Sequence, residues 1–289
     1  MIPPFDYKTP RTLREACDLL WDYGDQARLI AGGTDLVIAL RKGDLRPFCL
    51  IDVTGIPDLR RIEEKDGTLS VGAAVTHSEI VSSPLVRRYG EVLSEAASKI
   101  GSPQIRNTGT IGGNIVNASP AADTVPPLMV LDAIAYLVSK EGEREVPLHV
   151  LFRGPYETHL KPHEILVNVS FKKLSSDMRT CFIRLARREA MAIARMSVAV
   201  LLQRDEGKRQ IKEVRISLGS VTPTPQRITD AEAILRGETP DEERLKRASK
   251  KISEVMIRHS GIRPTTSYKA PVIEILFMRA FRQALGKEG

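Results

Sequence analysis

The chain has 289 residues, 43 Lys+Arg against 36 Asp+Glu, 42% hydrophobic residues and three cysteines. That hydrophobic fraction excludes a disordered chain, and the cysteine count excludes a disulfide scaffold. At about 100–200 residues per domain, the length predicts two or three packed units.

The opening Met1-Ile-Pro-Pro-Phe-Asp6 lacks a basic stretch followed by an apolar run. Asp132 and Arg195 break the best apolar stretches short of the ~20 residues a spanning helix needs. A cytoplasmic protein with no membrane insertion is expected. Cys17, Cys49 and Cys181 lie far apart with no Cys-x-x-Cys, so they read as buried thiols and no metal site is expected. His159 and His163 flank a helix-breaking Pro162 and read as two solvated imidazoles on a loop. The net charge of +7 is uneven: residues 176–289 carry a net +9 and residues 1–175 a net −2. Without a groove-reading motif and with 5% aromatics, the basic segment reads as a docking or solubility surface, and no nucleic-acid partner is expected.

In chain order, Thr12 to Glu15 has a capping-box form, Leu13, Ala16 and Leu20 recur at helical spacing, and Gly24 stands at a left-handed C-cap. A strand over 28–31, the turn Gly32-Gly33-Thr34-Asp35 and a helix over 36–40 follow, then a strand over 48–53. Residues 59–62 and 69–71, joined across Asp66-Gly67, predict a hairpin. Helices are expected from His77 and over 91–100. The run from Gly101 to Asn114 holds too many turn formers for helix or ordinary strand. Asp123 and Pro126-Pro127 introduce a short apolar helix ending near Asp132; strands are expected over 134–138, 145–147 and 164–171.

The pattern changes near residue 176. Strands over 182–187, 194–202 and 211–218 precede helices over 230–235, 242–258 and 272–285. Strands and helices in separate runs predict an α+β domain with helices on one face of a three-stranded antiparallel sheet.

Ala31-Gly-Gly-Thr-Asp-Leu36 and Thr110-Ile-Gly-Gly-Asn114 each set paired glycines beside a small hydroxyl residue. Successive N–H groups there can converge on a phosphate oxygen, and the first turn also opens a helix. Taken alone, a Gly-Gly between a strand and a helix is usually only a turn, and neither motif is the Gly-x-Gly-x-x-Gly fingerprint. Asp35 would repel a phosphate, so its carboxylate is expected to cap the helix while its N–H faces the ligand.

Those two motifs, the wider run from Gly101 to Asn114 and Arg184-Leu-Ala-Arg-Arg188 occur in one order, and together they resemble the FAD-binding (medium) subunit of the molybdenum hydroxylases. That family includes xanthine, nicotinate and carbon monoxide dehydrogenases, and the resemblance covers essentially the whole chain. It implies an α+β fold: a PCMH-type FAD-binding domain over 1–175, with subdomains of about 1–55 and 56–175, then a smaller α+β domain over 176–289. It also implies that Leu29, Ile30, Ala31, Gly32, Gly33, Thr34, Asp35 and Leu36, with Thr110, Ile111, Gly112, Gly113 and Asn114, hold the FAD diphosphate. Asp123 falls where the family binds the adenosine side; on spacing it could equally be a helix N-cap. Ile100 and Leu166 stand where the family lines the flavin site, although from the residues alone both read as core. Arg184 replaces a frequent flavin-contacting lysine, and a planar fork does not substitute for a point charge one for one. From the residues alone, Arg184 is a solvated strand position.

No catalytic acid–base dyad is expected, because the isoalloxazine carries the electron chemistry. The resemblance implies non-covalent FAD, since Thr34 and Asp35 stand where related oxidases often carry a linking His. It implies a large molybdenum-cofactor subunit and a small [2Fe–2S] subunit as partners, in a dimer of heterotrimers, with electrons leaving to NAD+ or another acceptor. The stretches Arg187–Ala194 and Ser220–Arg227 look more like the xanthine and nicotinate branch than the carbon monoxide branch. A carbon monoxide or aldehyde dehydrogenase flavin subunit, a stand-alone flavin oxidoreductase and a basic nucleic-acid-binding protein are the competing readings.

Overall fold

The computed structural model describes residues 4–188, 191–205, 207 and 209–286. Glu189 and Ala190 of the stretch that suggested the xanthine and nicotinate branch lie outside them, as does the start of the N-terminal segment.

The chain opens with β1 (Asp6–Lys8), α1 (Leu13–Tyr23), β2 (Ala27–Ile30), α2 (Leu36–Lys42) and β3 (Cys49–Asp52). The strands form a parallel sheet in the order β1-β3-β2, which requires α1 and α2 as crossovers. Thr12 Oγ1 accepts from the Glu15 N–H, while the Glu15 carboxylate accepts from the N–H of Arg11, one residue before the cap. Ala16, Cys17 and Leu20 are buried, and Gly24 ends α1 with φ +54°.

Next, β4 (Ile62–Lys65) and β5 (Thr68–Gly72) pair across Asp66 and Gly67, both with positive φ, as a two-residue hairpin turn requires. The strand expected from Leu59 begins only at Ile62, because Pro57 starts a 3-10 turn that buries Leu59. Helices α3 (His77–Ser82), α4 (Pro84–Tyr89) and α5 (Glu91–Ser98) follow. The glycine-rich run is not irregular: it holds α6 (Pro103–Thr108) and α7 (Ile111–Val116). Ser102 and Thr110 cap these two helices, with Pro103 at the first turn of α6, and the caps outweigh the turn-forming composition.

Then come α8 (Val125–Val130), β6 (Ile134–Ser139), β7 (Gly142–Pro147), α9 (Leu148–Leu151), β8 (Phe152–Gly154), β9 (Glu157–Thr158) and β10 (Ile165–Lys172). An antiparallel sheet in the order β4-β5-β10-β6-β7 results. His159 is exposed, but His163 is half-buried with its ring 5.1 Å from that of Trp21, so only one of the two loop imidazoles is solvated.

The remaining elements are β11 (Met178–Leu185), β12 (Met196–Asp205), β13 (Gln210–Gly219), β14 (Gln226–Arg227), α10 (Thr229–Leu235), α11 (Glu242–Ser260) and α12 (Thr266–Ala284). The strands pair antiparallel in sequence order, and the two-residue β14 adds a fourth to the three expected. Helix α12 runs through Pro271 rather than starting after it, its buried face of Ile273, Leu276, Phe277, Ala280 and Phe281 holding the turn. Residues Met196 to Leu202 of β12 are buried without interruption. Met196, Val198, Val200 and Leu202 pack with the helices α10–α12, and Ala199 and Leu201 join the core of the first 175 residues. Both faces are therefore covered, by helices on one side and by α5 and α8 on the other.

Arginines of this sheet grip both ends of α8. Arg184 of β11 pairs with Asp123 before the helix, while Arg215 of β13 and Arg227 of β14 pair with Asp132 after it at 2.9 and 2.6 Å.

Candidate functional site

The two glycine turns meet. A Cβ at position 32 would lie 1.9 Å from the Thr108 carbonyl oxygen and 2.8 Å from Gly109 Cα, so only glycine allows this backbone-on-backbone approach. Gly33 adopts φ +67°, which lets the chain turn from β2 into α2. Among the described residues, the N–H groups of Gly32, Gly33, Thr34 and Asp35 donate to no protein acceptor. Asp35 does not cap α2: its backbone is helical, with φ −103° and ψ −45°, and no side-chain cap bond forms. A capping residue needs an extended backbone to fold its carboxylate over the next N–H groups. Leu29, Ile30, Ala31, Thr34 and Leu36 are half-buried around this row.

At the second turn the amides are already engaged. Ile111 N–H donates to Val75 O, Gly112 N–H to Ala73 O, Gly113 N–H to Thr110 Oγ1 at 3.1 Å, and Asn114 N–H to Thr110 O. The expected convergence of free amides there does not occur, because residues 73–76, which bridge to Thr110, take the first two. Gly112 is required by packing, since a Cβ would stand 2.6 Å from Ala73. Gly113 is exposed, and a Cβ there would approach only Thr110 Oγ1, at 3.1 Å. Beneath this turn lies His77, 2% exposed, whose titration burial pushes down to about 4, helped by Arg106. Its Nδ1 is buried and, among the described residues, has no partner. The sequence signalled only a helix start at His77.

The second turn leads to Asp123. Asn114 Oδ1 accepts from Thr124 Oγ1 at 2.6 Å. Asp123 is buried, is not an N-cap, and pairs through Oδ2 with Arg184 Nη1 at 3.0 Å. Among the described residues its Oδ1 has no partner. Burial pushes the carboxyl up to about 6 although Arg184 pulls it down. Arg184 is not a solvated strand residue: its side chain is 4% exposed, and Nη1 also donates to the carbonyls of Lys99 and Ala192. The Lys99 link sets Arg184 beside half-buried Ile100, whose carbonyl accepts from Arg106 Nη1 at 2.8 Å. Leu166, 5% exposed, sits on β10, whose Val167 carbonyl accepts from Ala73 N–H.

A neighbouring cleft of about 380 Å³ opens between Ser119–Ala121 with Tyr156 on one side and Arg195, Tyr268 and Lys269 on the other. Lys269 Nζ donates to the Ser220 carbonyl at 3.0 Å, and its ammonium is pushed down by burial and by Arg263 and Arg195. No local sequence signal marks this cleft, because its cations are separated by more than 70 residues from its Ser119–Ala121 wall.

The unpaired amide row, the orphaned Asp123 oxygen and the open face over Gly113 fit an anionic group bearing hydrogen-bond donors, as a flavin dinucleotide is. Among the described residues no group of His, Cys, Asp or Glu could hold a metal ion, and no helix is long and apolar enough to cross a membrane.

This is the architecture of a two-part flavin-binding protein. Residues 3–171 match the family described as FAD binding domain in molybdopterin dehydrogenase, and residues 182–284 match the CO dehydrogenase flavoprotein C-terminal domain. The chain belongs to the FAD-binding (medium) subunits of the molybdenum hydroxylases, and is an oxidoreductase subunit. It is 31% identical to the 6-hydroxypseudooxynicotine dehydrogenase complex subunit alpha of Paenarthrobacter nicotinovorans, over 98% of this chain and 95% of that one. It is 30% identical to the xanthine dehydrogenase FAD-binding subunit of Escherichia coli O157:H7, over 98% and 97%. A structure of carbon monoxide dehydrogenase from Hydrogenophaga pseudoflava, lacking the Mo-pyranopterin moiety, superposes with a TM-score of 0.93 at 30% identity, covering 100% of both chains.

Proposed function

We propose that the chain binds FAD non-covalently across the two glycine turns and relays electrons from the [2Fe–2S] clusters of a small partner subunit to NAD+ or another acceptor. A large partner subunit carries the molybdenum cofactor and chooses the substrate, and the assembly is a cytoplasmic dimer of heterotrimers. The division into 1–175, itself split near 55, and 176–289 assigns FAD to the first unit. The xanthine and nicotinate branch is favoured by the Ser220–Arg227 stretch.

The observation that carries this reading is the row of unpaired amides at 32–35, pressed against the peptide that leads into the second turn. Gly32, Gly33, Thr34 and Asp35 donate to the diphosphate from one side, and α7 offers the bare Gly113 and the Asn114 side chain from the other. Ala31 and Leu36 flank the row, Leu29 and Ile30 back it, Thr110, Ile111 and Gly112 shape the facing turn, and Ile100 and Leu166 line the ring site. Asp123 accepts from the adenosine half. Bound FAD supplies the electron-accepting ring; these residues bind it, orient it and exclude water. Arg195 and Lys269 give a phosphate-bearing acceptor a counter-charge in the adjoining cleft.

The purified chain is expected to be yellow, to release FAD on denaturation, and to copurify with molybdenum and iron–sulfur subunits from its native context. A folded, colourless chain that takes up no added FAD overturns the reading. Charge reversals in the basic residues 176–289, with electron-transfer rates measured against ionic strength, locate the docking face.

A further inference from the structure

Resting on the flavin reading, we infer that Arg184 is a positioning residue for the nucleotide: it holds Asp123 Oδ2 from the C-terminal sheet and leaves Oδ1 as the acceptor for an O–H or N–H donor of FAD. Position 184 is thus not a flavin contact but the part of the second domain that completes the first domain's site.

The geometry carries this. Among the described residues, the Arg184 guanidinium meets acceptors from separate segments, including Asp123 Oδ2 at 3.0 Å, Lys99 O at 2.6 Å and Ala192 O at 3.3 Å. Both side chains of the pair are at least nine-tenths buried, so the bond is shielded from solvent and salt. The two residues lie 61 positions apart, on opposite sides of the junction between the segments matching the two family domains. A buried carboxylate oxygen without a partner is a costly feature that a bound donor would satisfy.

Other charged groups on the packed elements are turned elsewhere. Glu95 of α5 accepts from the Phe182 N–H, the Lys99 side chain is exposed, Arg106 of α6 donates to the Ile100 carbonyl and Arg195 lies over the Tyr268 ring. Asn114 of α7 and the adjacent Thr124 contribute only neutral groups. Among the described residues, Arg184 is thus the cation that draws the Asp123 carboxyl down, against the larger upward push of burial.

The test uses the full-length chain, stripped of flavin and titrated with FAD by fluorescence from pH 5 to 8, alongside thermal unfolding. R184M and D123N should each weaken FAD binding about 10–100-fold, the worth of a hydrogen bond to a charged group. The double variant should be no more than about threefold weaker than D123N, because the two residues act through one contact. Wild-type affinity should fall as pH drops through about 6, D123N should be flat, and in R184M the fall should begin at higher pH. R184K, which keeps the cation, should restore most of the affinity and the wild-type profile, and it carries the test if R184M does not fold. Additive losses in the double variant, or an R184M or R184K profile that contradicts these shifts, overturn the inference. A wild-type chain that takes up no FAD overturns the flavin reading instead.

Discussion

The two glycine turns are near twins in sequence and opposites in structure. Around Gly32-Gly33 the fold requires both glycines, one for a backbone contact and one for a positive φ, and among the described residues the N–H groups stay unpaired. Around Gly112-Gly113 the chain consumes the N–H groups itself and requires only the first glycine, against Ala73. One turn offers donors, whereas the other offers clearance. On the proposed reading, a diphosphate between them would receive hydrogen bonds from the first turn and would find room over Gly113 at the second.

The largest expected effect is at position 32. In Gly32→Ala the new methyl would meet the Thr108 and Gly109 backbone, which cannot rotate away, so the turns must part. A loss of about 3 kcal/mol or more is expected, at the upper end for overpacking, together with complete loss of flavin. Thermal unfolding and flavin absorbance measure both. A stable, yellow variant would show that the turns are not in contact. Gly33→Ala is milder: φ +67° costs an L-residue about 1–2 kcal/mol, and the methyl would lie 3.3 Å from the Ile30 and Val37 side chains, which can yield. Its fold should survive with FAD affinity reduced roughly tenfold, consistent with about 1.4 kcal/mol.

What the sequence shows of this comparison is local. Thr12 capping α1, the Asp66-Gly67 hairpin and the strand, turn and helix around Gly32-Gly33 are each written within four or five residues, where capping and turn chemistry operate. The helices α6 and α7 escape such a reading because a six-residue helix has too few positions to show a period, and Gly and Pro dominate the count. The fate of the second turn's amides is set by residues 73–76, more than 30 positions upstream. Likewise the Arg184–Asp123 pair spans two domains, and nothing near either residue announces the other. The motifs are legible, but which of their groups are free is a tertiary property.

Between the turns, Thr124 ties Asn114 to the segment carrying Asp123, and pH probes that link. Without flavin, burial holds the Asp123 carboxyl at about 6, above its ordinary 3.8. The folded state therefore binds this proton more tightly than the unfolded state. The stabilisation is full below the unfolded value and is lost as pH rises through about 6. Relative to D123N, the flavin-free wild type should gain thermal stability on going from about pH 8 to about pH 5. An unchanged difference would place Asp123 in solvent and detach it from the second turn.

The smallest stability effect sharpens the comparison most. Gly113 has no positive φ, lies inside α7, and has open space where a side chain would stand, apart from Thr110 Oγ1. Glycine at a helix position costs about 0.8–1.0 kcal/mol relative to alanine, so the fold alone favours Ala there. In Gly113→Ala the chain should become up to about 0.5–1 kcal/mol more stable, the contact with Thr110 Oγ1 removing part of the gain. On the proposed site FAD affinity should fall at least tenfold, because the methyl would occupy the open face offered to the nucleotide. Calorimetry of the flavin-free protein and FAD titration separate the two quantities. Should stability rise with affinity intact, the second turn is only a turn, and the diphosphate is held from one side alone.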